Sequence, residues 1–92
     1  AEHVAPHRVP LELTVASVDR VTIGRGRTTF RELLDGDATT AQIVATFLAI
    51  LELAKRGSLI LSQDENFGTI EIERVEGAPE YRPGDGTLFE EE

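Results

Sequence analysis

Cysteine, methionine and tryptophan are absent from the 92 residues, and aromatic residues make up only 5% of them. Without cysteine the chain has no disulfide, no thiolate metal ligand and no cysteine nucleophile. No apolar run reaches the roughly 18 residues that a membrane-spanning helix needs. The first residues, from Ala1, show neither an initiator methionine nor a signal-peptide pattern. We therefore expect one small domain, excised from a longer cytoplasmic chain that makes no contact with a membrane.

Positive charge is also scarce, because 9 Lys and Arg residues face 17 Asp and Glu residues, for a formal net charge of −8. Acidic residues dominate residues 76–92, where Arg82 is the single base among several prolines and glycines. Such a composition buries too little apolar surface to offset the entropy of ordering. We therefore predict an acidic disordered tail at 76–92, a linker at 1–10 and a folded domain at 11–75.

The clearest predicted element is a long helix over Thr39–Arg56. Thr39 and Gln42 have the spacing of a capping box, in which each side chain bonds the backbone N–H of the other residue. Basic residues occupy the last turn, where the helix dipole favours them, and Gly57 supplies a left-handed stop. Thr29 and Glu32 form a second capping box, which predicts a short helix at about 30–34.

Two strands are predicted downstream, over Ser58–Gln63 and Thr69–Val75, with turn residues between them. In the second strand isoleucines at 70 and 72 alternate with glutamates, as in a half-buried strand. The first part of the domain, Leu13–Ile23, leaves two interpretations open: a helix capped by Thr14, or an extended segment at its β-branched end.

The predicted order is helix, short strand or turn near Arg27–Thr29, helix, helix and β-hairpin. Two closely joined helices resemble a helix-turn-helix. The fold class is therefore α+β: a small winged helix domain, with three helices plus a β-hairpin wing.

The long helix has an apolar arc wider than a surface helix needs. At roughly 100° per residue, one face carries Ile43, Val44, Phe47, Ile50, Leu51 and Ala54, with Leu48 at its edge. The opposite face carries Gln42, Ala45, Thr46, Ala49, Glu52, Leu53 and Arg56. We expect the apolar face to pack partly under the hairpin and the shorter helices. The remaining edge (Val44, Leu48, Leu51 and Phe47) either completes the core or is available to a partner.

The charges argue against sequence-specific reading of DNA by this helix. A recognition helix presents Arg, Lys, Asn or Gln near its N-terminus, and only Gln42 qualifies here. The wing would bring carboxylates to the phosphates: Asp64, Glu65, Glu71 and Glu73. Arginines at 20, 25, 27 and 31 leave two interpretations open, a patch for an acidic partner or a solvated face that balances the wing. Phe67, in the hairpin loop, either folds back onto the core or is an exposed anchor.

Catalytic patterns are weak throughout the chain. The three serines, Ser17, Ser58 and Ser62, have no histidine in the folded region to act as base. The two histidines, His3 and His7, lie in the predicted linker without metal-ligand spacing. The segment Gly24–Arg27 lacks the spacing of a phosphate-binding loop. We therefore expect no enzyme activity, no metal site and no cofactor.

A family resemblance is carried by the run Thr39–Ile72, TTAQIVATFLAILELAKRGSLILSQDENFGTIEI. It resembles the C-terminal winged helix domain of bacterial segregation and condensation protein A (ScpA), the kleisin subunit of the SMC–ScpAB complex. The segment Thr28–Leu34 resembles the Phe-x-x-Leu-Leu second helix of that family. In that family the first helix of the winged helix domain is usually longer than Thr14–Ile23. This chain departs from the family pattern in that helix.

The resemblance implies a non-catalytic docking module that binds the ATPase head of one SMC subunit. The kleisin then closes a ring around DNA, with ScpB bound by a part of the parent chain outside these 92 residues. Carried over by position, the head-facing residues would be Phe47, Leu48, Leu51, Leu61 and Ile70. Two alternatives are a winged helix DNA-binding domain of a transcriptional regulator, which would use the four arginines, and a module that only self-associates.

Overall fold

The computed structural model describes residues 10–65 and 68–84. Its elements in chain order are α1 (Leu11–Arg25), β1 (Arg27–Thr29), α2 (Phe30–Leu33), α3 (Thr40–Lys55), β2 (Leu59–Gln63) and β3 (Ile70–Arg74). The α+β class and the arrangement of a winged helix are confirmed. Within the described ranges no helix combines the length and the apolar character needed to cross a bilayer.

The three strands form one antiparallel sheet in the order β1-β3-β2, with β3 in the centre. Ile72 pairs with Thr28 on one side and with Leu61 on the other. It is buried, whereas its neighbours Glu71 and Glu73 are exposed, so the predicted alternation in this strand is confirmed. The expectation for Phe67 lies outside the described residues.

The first helix resolves the two interpretations left open for Leu13–Ile23. The whole stretch is helical, and the helix begins at Leu11, after an extended Pro10 that offers no side-chain cap. Thr14 is therefore not the cap, and its hydroxyl donates instead to the Pro10 carbonyl at 3.3 Å. Packing decides the helix, because Val15 and Val18 are buried in the core and outweigh the weak β preference of the residues that follow.

Both capping boxes are formed as predicted. The Thr29 hydroxyl accepts from the Glu32 N–H at 3.1 Å, and the Thr29 N–H donates to the Glu32 carboxylate at 3.2 Å. At α3 the Thr39 hydroxyl accepts from the Gln42 N–H at 3.1 Å, with the reciprocal bond at 2.8 Å. Gly57 follows α3 at φ +85°, the left-handed conformation expected of a helix stop.

The face of α3 that packs inward is not the one predicted. The buried residues of α3 are Ala45, Thr46, Ala49, Ile50, Glu52 and Leu53, most of which were assigned to the outward face. Small side chains at these positions allow α1 to approach closely, because interhelix distances depend on side-chain size at the contact. Of the predicted apolar face, Ile50 is buried, whereas Ile43, Val44, Phe47 and Leu51 are exposed.

The core lies where α1, α3 and the sheet meet. Its buried members are Val15, Val18, Ala49, Ile50, Leu53, Leu59, Ile72 and Tyr81. Tyr81 is only 6% exposed, so the packed part of the chain extends past residue 75, where we expected the folded unit to end. Residues 85–92 of the predicted tail and 1–9 of the predicted linker lie outside the described residues.

Candidate protein-docking surface

An apolar ridge runs along the solvent side of α3. Ile43, Phe47 and Leu51 follow one another at intervals of four residues, so they lie one turn apart on a single face. Val44 lies beside this row. Phe47 is 40% exposed and Val44 is 49% exposed, values that are high for large apolar side chains. This exposure leaves apolar surface on α3 that residues 10–65 and 68–84 do not cover.

Beside the ridge, the wing and α3 enclose a shallow groove of about 250 Å³, which we call the α3–wing groove. Its lining residues are Phe47, Leu51, Leu61, Ser62, Gln63 and Ile70. The apolar side chains come from three elements, α3, β2 and β3, that are separated along the chain. Four of the five predicted partner-binding residues are thus brought together: Phe47, Leu51, Leu61 and Ile70.

Leu48, the fifth predicted residue, lies elsewhere. It lines a second depression of about 370 Å³ between the start of α1 and the first half of α3, together with Leu11, Ala41, Val44 and Ala45. Leu48 and Phe47 are consecutive on a helix, so their side chains diverge by about 100°. The structure therefore divides the predicted set between two surfaces.

Contacts from neighbouring elements fix the walls of the α3–wing groove. The ring of Phe30 in α2 meets the ring of Phe47 edge to face, with centroids 5.9 Å apart. On the wing, the Gln63 side-chain amide donates to the Gly68 carbonyl at 2.6 Å and ties the two ends of the hairpin loop together. These two contacts hold the Phe47 ring and the end of the hairpin at the sides of the groove.

The outer face of the sheet carries both charge signs side by side. Arg27 and Glu73 are paired across β1 and β3 at 3.6 Å, and both side chains are largely exposed. The Arg25 guanidinium donates to the Thr28 hydroxyl at 3.1 Å, and this hydroxyl donates in turn to Glu32. Arg27 therefore pairs with a carboxylate of the wing, whereas Arg25 contacts a neutral hydroxyl.

The side chains that could bind a metal ion are dispersed over the described part of the chain. In residues 10–65 and 68–84, no three His, Cys, Asp or Glu side chains are grouped as metal ligands would be. Ser58 is buried, whereas Ser17 and Ser62 are exposed. Both histidines lie outside the described residues.

A buried polar network was missed by the sequence analysis. Asp19 of α1 forms an ion pair with Arg74 at the end of β3, and it also accepts the Tyr81 N–H at 2.8 Å. The positions of Asp19 and Arg74 within their elements indicate that both side chains point inward. Asp19 shares the inward face of α1 with Val15, Val18 and Thr22, and Arg74 continues the inward alternation of β3.

The family model for segregation and condensation protein ScpA matches residues 3–75, a range that includes every helix and strand described above. The match also spans all five predicted partner-binding residues and both wing strands. The chain therefore belongs to the ScpA family, whose role is in chromosome segregation and condensation.

Proposed function

We propose that this chain is the C-terminal winged helix domain of an ScpA-type kleisin and docks on the ATPase head of an SMC subunit. Membership of the ScpA family supports a partnership with the SMC complex in general. Within that partnership, the α3–wing groove is the part of the domain that we assign to the SMC head.

The observation that carries the proposal is the convergence of apolar side chains on one open groove. Phe47 and Leu51 of α3 are 40% and 38% exposed, and they face Leu61 and Ile70 across the groove. Removing such side chains from water is favourable by roughly 25 cal/mol per Å² of apolar area, and the binding free energy is what is left after the entropic and desolvation costs of association. Aromatic side chains such as Phe47 are enriched in the buried cores of protein interfaces.

The charge of the domain supports a protein partner over a nucleic acid. Asp64, Glu65, Glu71 and Glu73 are all exposed on the wing, and the chain carries a net charge of −8. DNA binding depends on basic side chains that replace counterions along the phosphates. An acidic wing would oppose this exchange.

In the whole kleisin, this module would act without catalysis. It would hold one end of the kleisin on an SMC head, while ScpB binds another part of the parent chain, so that the ring closes around DNA. The assembly would be cytoplasmic and associated with the nucleoid through SMC.

The test is a titration of the 92-residue chain against an isolated SMC head, followed by calorimetry or fluorescence anisotropy. Leu51→Arg places a charge in the α3–wing groove and should weaken binding at least tenfold, since a buried unpaired charge is costly. Ile60→Arg is the matched control, because Ile60 is 55% exposed and absent from the lining of the groove. Circular dichroism should show that both variants remain folded.

The proposal fails if Leu51→Arg, still folded, binds the head as tightly as the unchanged chain does. It also fails if Ile60→Arg is the more damaging change, which would place the partner on the outer face of the sheet. Leu48→Arg separates the two depressions. A loss there equal to that of Leu51→Arg would extend the docking surface across the α3 ridge to the neighbourhood of Leu11.

A further inference from the structure

The segment after β3 is packed onto the domain although it lies beyond the family-matched residues, which end at 75. We call residues 75–81 the C-terminal strap. The Val75 N–H donates to the Ser58 carbonyl at 2.9 Å, so the strap begins as a continuation of the wing. It then turns at Gly77, which has φ +85°, and the Ala78 N–H donates back to the Val75 carbonyl at 3.2 Å.

Arg74 connects the strap, the wing and α1. Its guanidinium pairs with Asp19 of α1 and also donates to the carbonyls of Ala78 and Pro79, at 3.3 and 3.1 Å. Its side chain is 8% exposed and that of Asp19 is 1% exposed. A buried carboxylate and guanidinium are tolerated only when their remaining hydrogen-bonding positions are occupied. The strap carbonyls occupy two of those positions.

Tyr81 ends the strap inside the core. Its backbone N–H donates to the second carboxylate oxygen of Asp19 at 2.8 Å, and its side chain belongs to the buried cluster. The Arg56 guanidinium lies 4.9 Å from the centre of the Tyr81 ring, in cation–π geometry, while also bonding Glu52 at 2.8 Å. The buried carboxylate of Asp19 therefore accepts a hydrogen bond directly from the strap, whereas Glu52 pairs with Arg56, whose guanidinium lies over the Tyr81 ring.

The strap meets α3 on the side away from the proposed docking groove. Arg56 follows Phe47 by nine residues, which places it about 180° around the helix at roughly 100° per residue. Neither Arg56 nor Tyr81 lines the α3–wing groove. The strap therefore contacts one side of α3, and the α3–wing groove lies on the opposite side.

We propose that the C-terminal strap is an integral part of the folded domain. It holds the wing against α1 and covers the side of α3 opposite the α3–wing groove, so that no partner binds on that side. The cooperatively folded unit then ends at Tyr81 and not at residue 75. Acidic residues 76 and 80 are carried on the strap as exposed side chains. This inference does not rest on the proposed docking to SMC.

The experiment compares four chains by thermal unfolding: the 92-residue chain, a chain ending at residue 84, a chain ending at residue 75, and Tyr81→Ala. The chain ending at 84 should unfold at the temperature of the full chain. The chain ending at 75 and Tyr81→Ala should both unfold at least roughly 10 °C lower, since each removes a large buried side chain from a small domain. Arg82→Ala, which alters an exposed neighbour of Tyr81, is the matched control and should leave the unfolding temperature unchanged.

Amide hydrogen exchange supplies a second measurement. In the full chain the Tyr81 amide should exchange on the order of 100-fold more slowly than in an unstructured peptide, and Asp19→Asn should weaken this protection. The inference is overturned if the chain ending at 75 unfolds at the same temperature as the chain ending at 84. It is overturned equally if the Tyr81 amide exchanges at the rate of an unstructured peptide.

Binding to an SMC head separates this inference from the proposed function. Tyr81→Ala, measured well below its unfolding temperature, should retain the affinity of the unchanged chain for the head. If it loses affinity as fully as Leu51→Arg does, the strapped face is itself a partner surface and its assignment as a closed face is wrong.

Discussion

Phe30 of α2 and Phe47 of α3 meet edge to face, with ring planes inclined at 79° and centroids 5.9 Å apart. Phe47 is one of two α3 residues that line the α3–wing groove, and its ring is held from behind by a helix of only four residues. The position of α2 is in turn set by the capping box at Thr29. A local motif in the sequence thus orients a side chain of the proposed docking surface.

A first prediction follows for the two rings. Edge-to-face aromatic pairs contribute about 0.5–1.5 kcal/mol beyond the area they bury. Urea unfolding of Phe30→Ala, Phe47→Ala and the double variant should therefore give a coupling free energy in that range. Phe30→Leu is the control, since it keeps most of the buried area without the ring geometry. A coupling free energy of zero would show that Phe47 is held by other contacts.

The capping box of α3 gives a second prediction. Thr39→Ala removes the hydroxyl that accepts the Gln42 N–H and should lower the free energy of unfolding by about 1 kcal/mol. Thr40→Ala changes the same residue type one position later, inside the helix, where alanine has the higher helix propensity. Chemical denaturation should therefore give Thr39→Ala a lower free energy of unfolding than Thr40→Ala. Equal midpoints for the two variants would contradict a stabilising role for the cap.

Gly57 supports a third prediction. It adopts φ +85° at the turn between α3 and β2, with open space around the position of an added Cβ. Any cost of Gly57→Ala is therefore a backbone cost, of about 1–2 kcal/mol for a left-handed residue. Gly36→Ala is the matched control, because Gly36 is also unobstructed and its φ is not positive. That change should be neutral or slightly stabilising in urea unfolding.

The elements predicted correctly are those whose causes lie close together in the sequence. The boxes at Thr29 and Thr39 need a partner three residues away, and the stop at Gly57 needs only its own backbone freedom. The alternation at Ile70 and Ile72 follows from the two-residue period of a strand. Each of these signals is complete within a few residues, so tertiary contacts did not alter it.

The inward face of α3 could not be predicted in the same way. Hydrophobicity alone favoured the face with Val44 and Phe47, but Ala45 and Ala49 are the residues that lie against the rest of the domain. Their small size matters only once α1 is known to be a helix, and that was the element left open. The charge of Glu52 favours an outward position, but the residue is buried, and its ion pair with Arg56 at 2.8 Å offsets part of the cost of burying the carboxylate.

The candidate groove was predicted in part for a related reason. Leu61 and Ile70 were placed beside Phe47 and Leu51 by family resemblance, and the structure brings these four together. Leu48 could not be separated from them by spacing alone, since it lies on the same broad arc. The network of Asp19, Arg74 and Tyr81 spans 62 residues, so the inward positions of Asp19 and Arg74 indicate burial but do not indicate which residue each one pairs with.

The last prediction concerns duplex DNA, and it discriminates the proposed function from the alternative of a transcriptional regulator. At physiological salt the dissociation constant of the 92-residue chain for a DNA duplex should exceed about 10 μM, which corresponds to non-specific binding or to weaker binding. Glu71 and Glu73 are exposed on β3 beside Arg27, so the double variant Glu71→Lys/Glu73→Lys replaces a mixed surface with a basic one. This variant should gain DNA binding that falls steeply with added salt, as counterion release requires. The unchanged chain should show no such dependence in fluorescence anisotropy. Tight and steeply salt-dependent binding by the unchanged chain would instead show that the exposed arginines bind nucleic acid. The proposal that this domain binds only a protein would then be wrong.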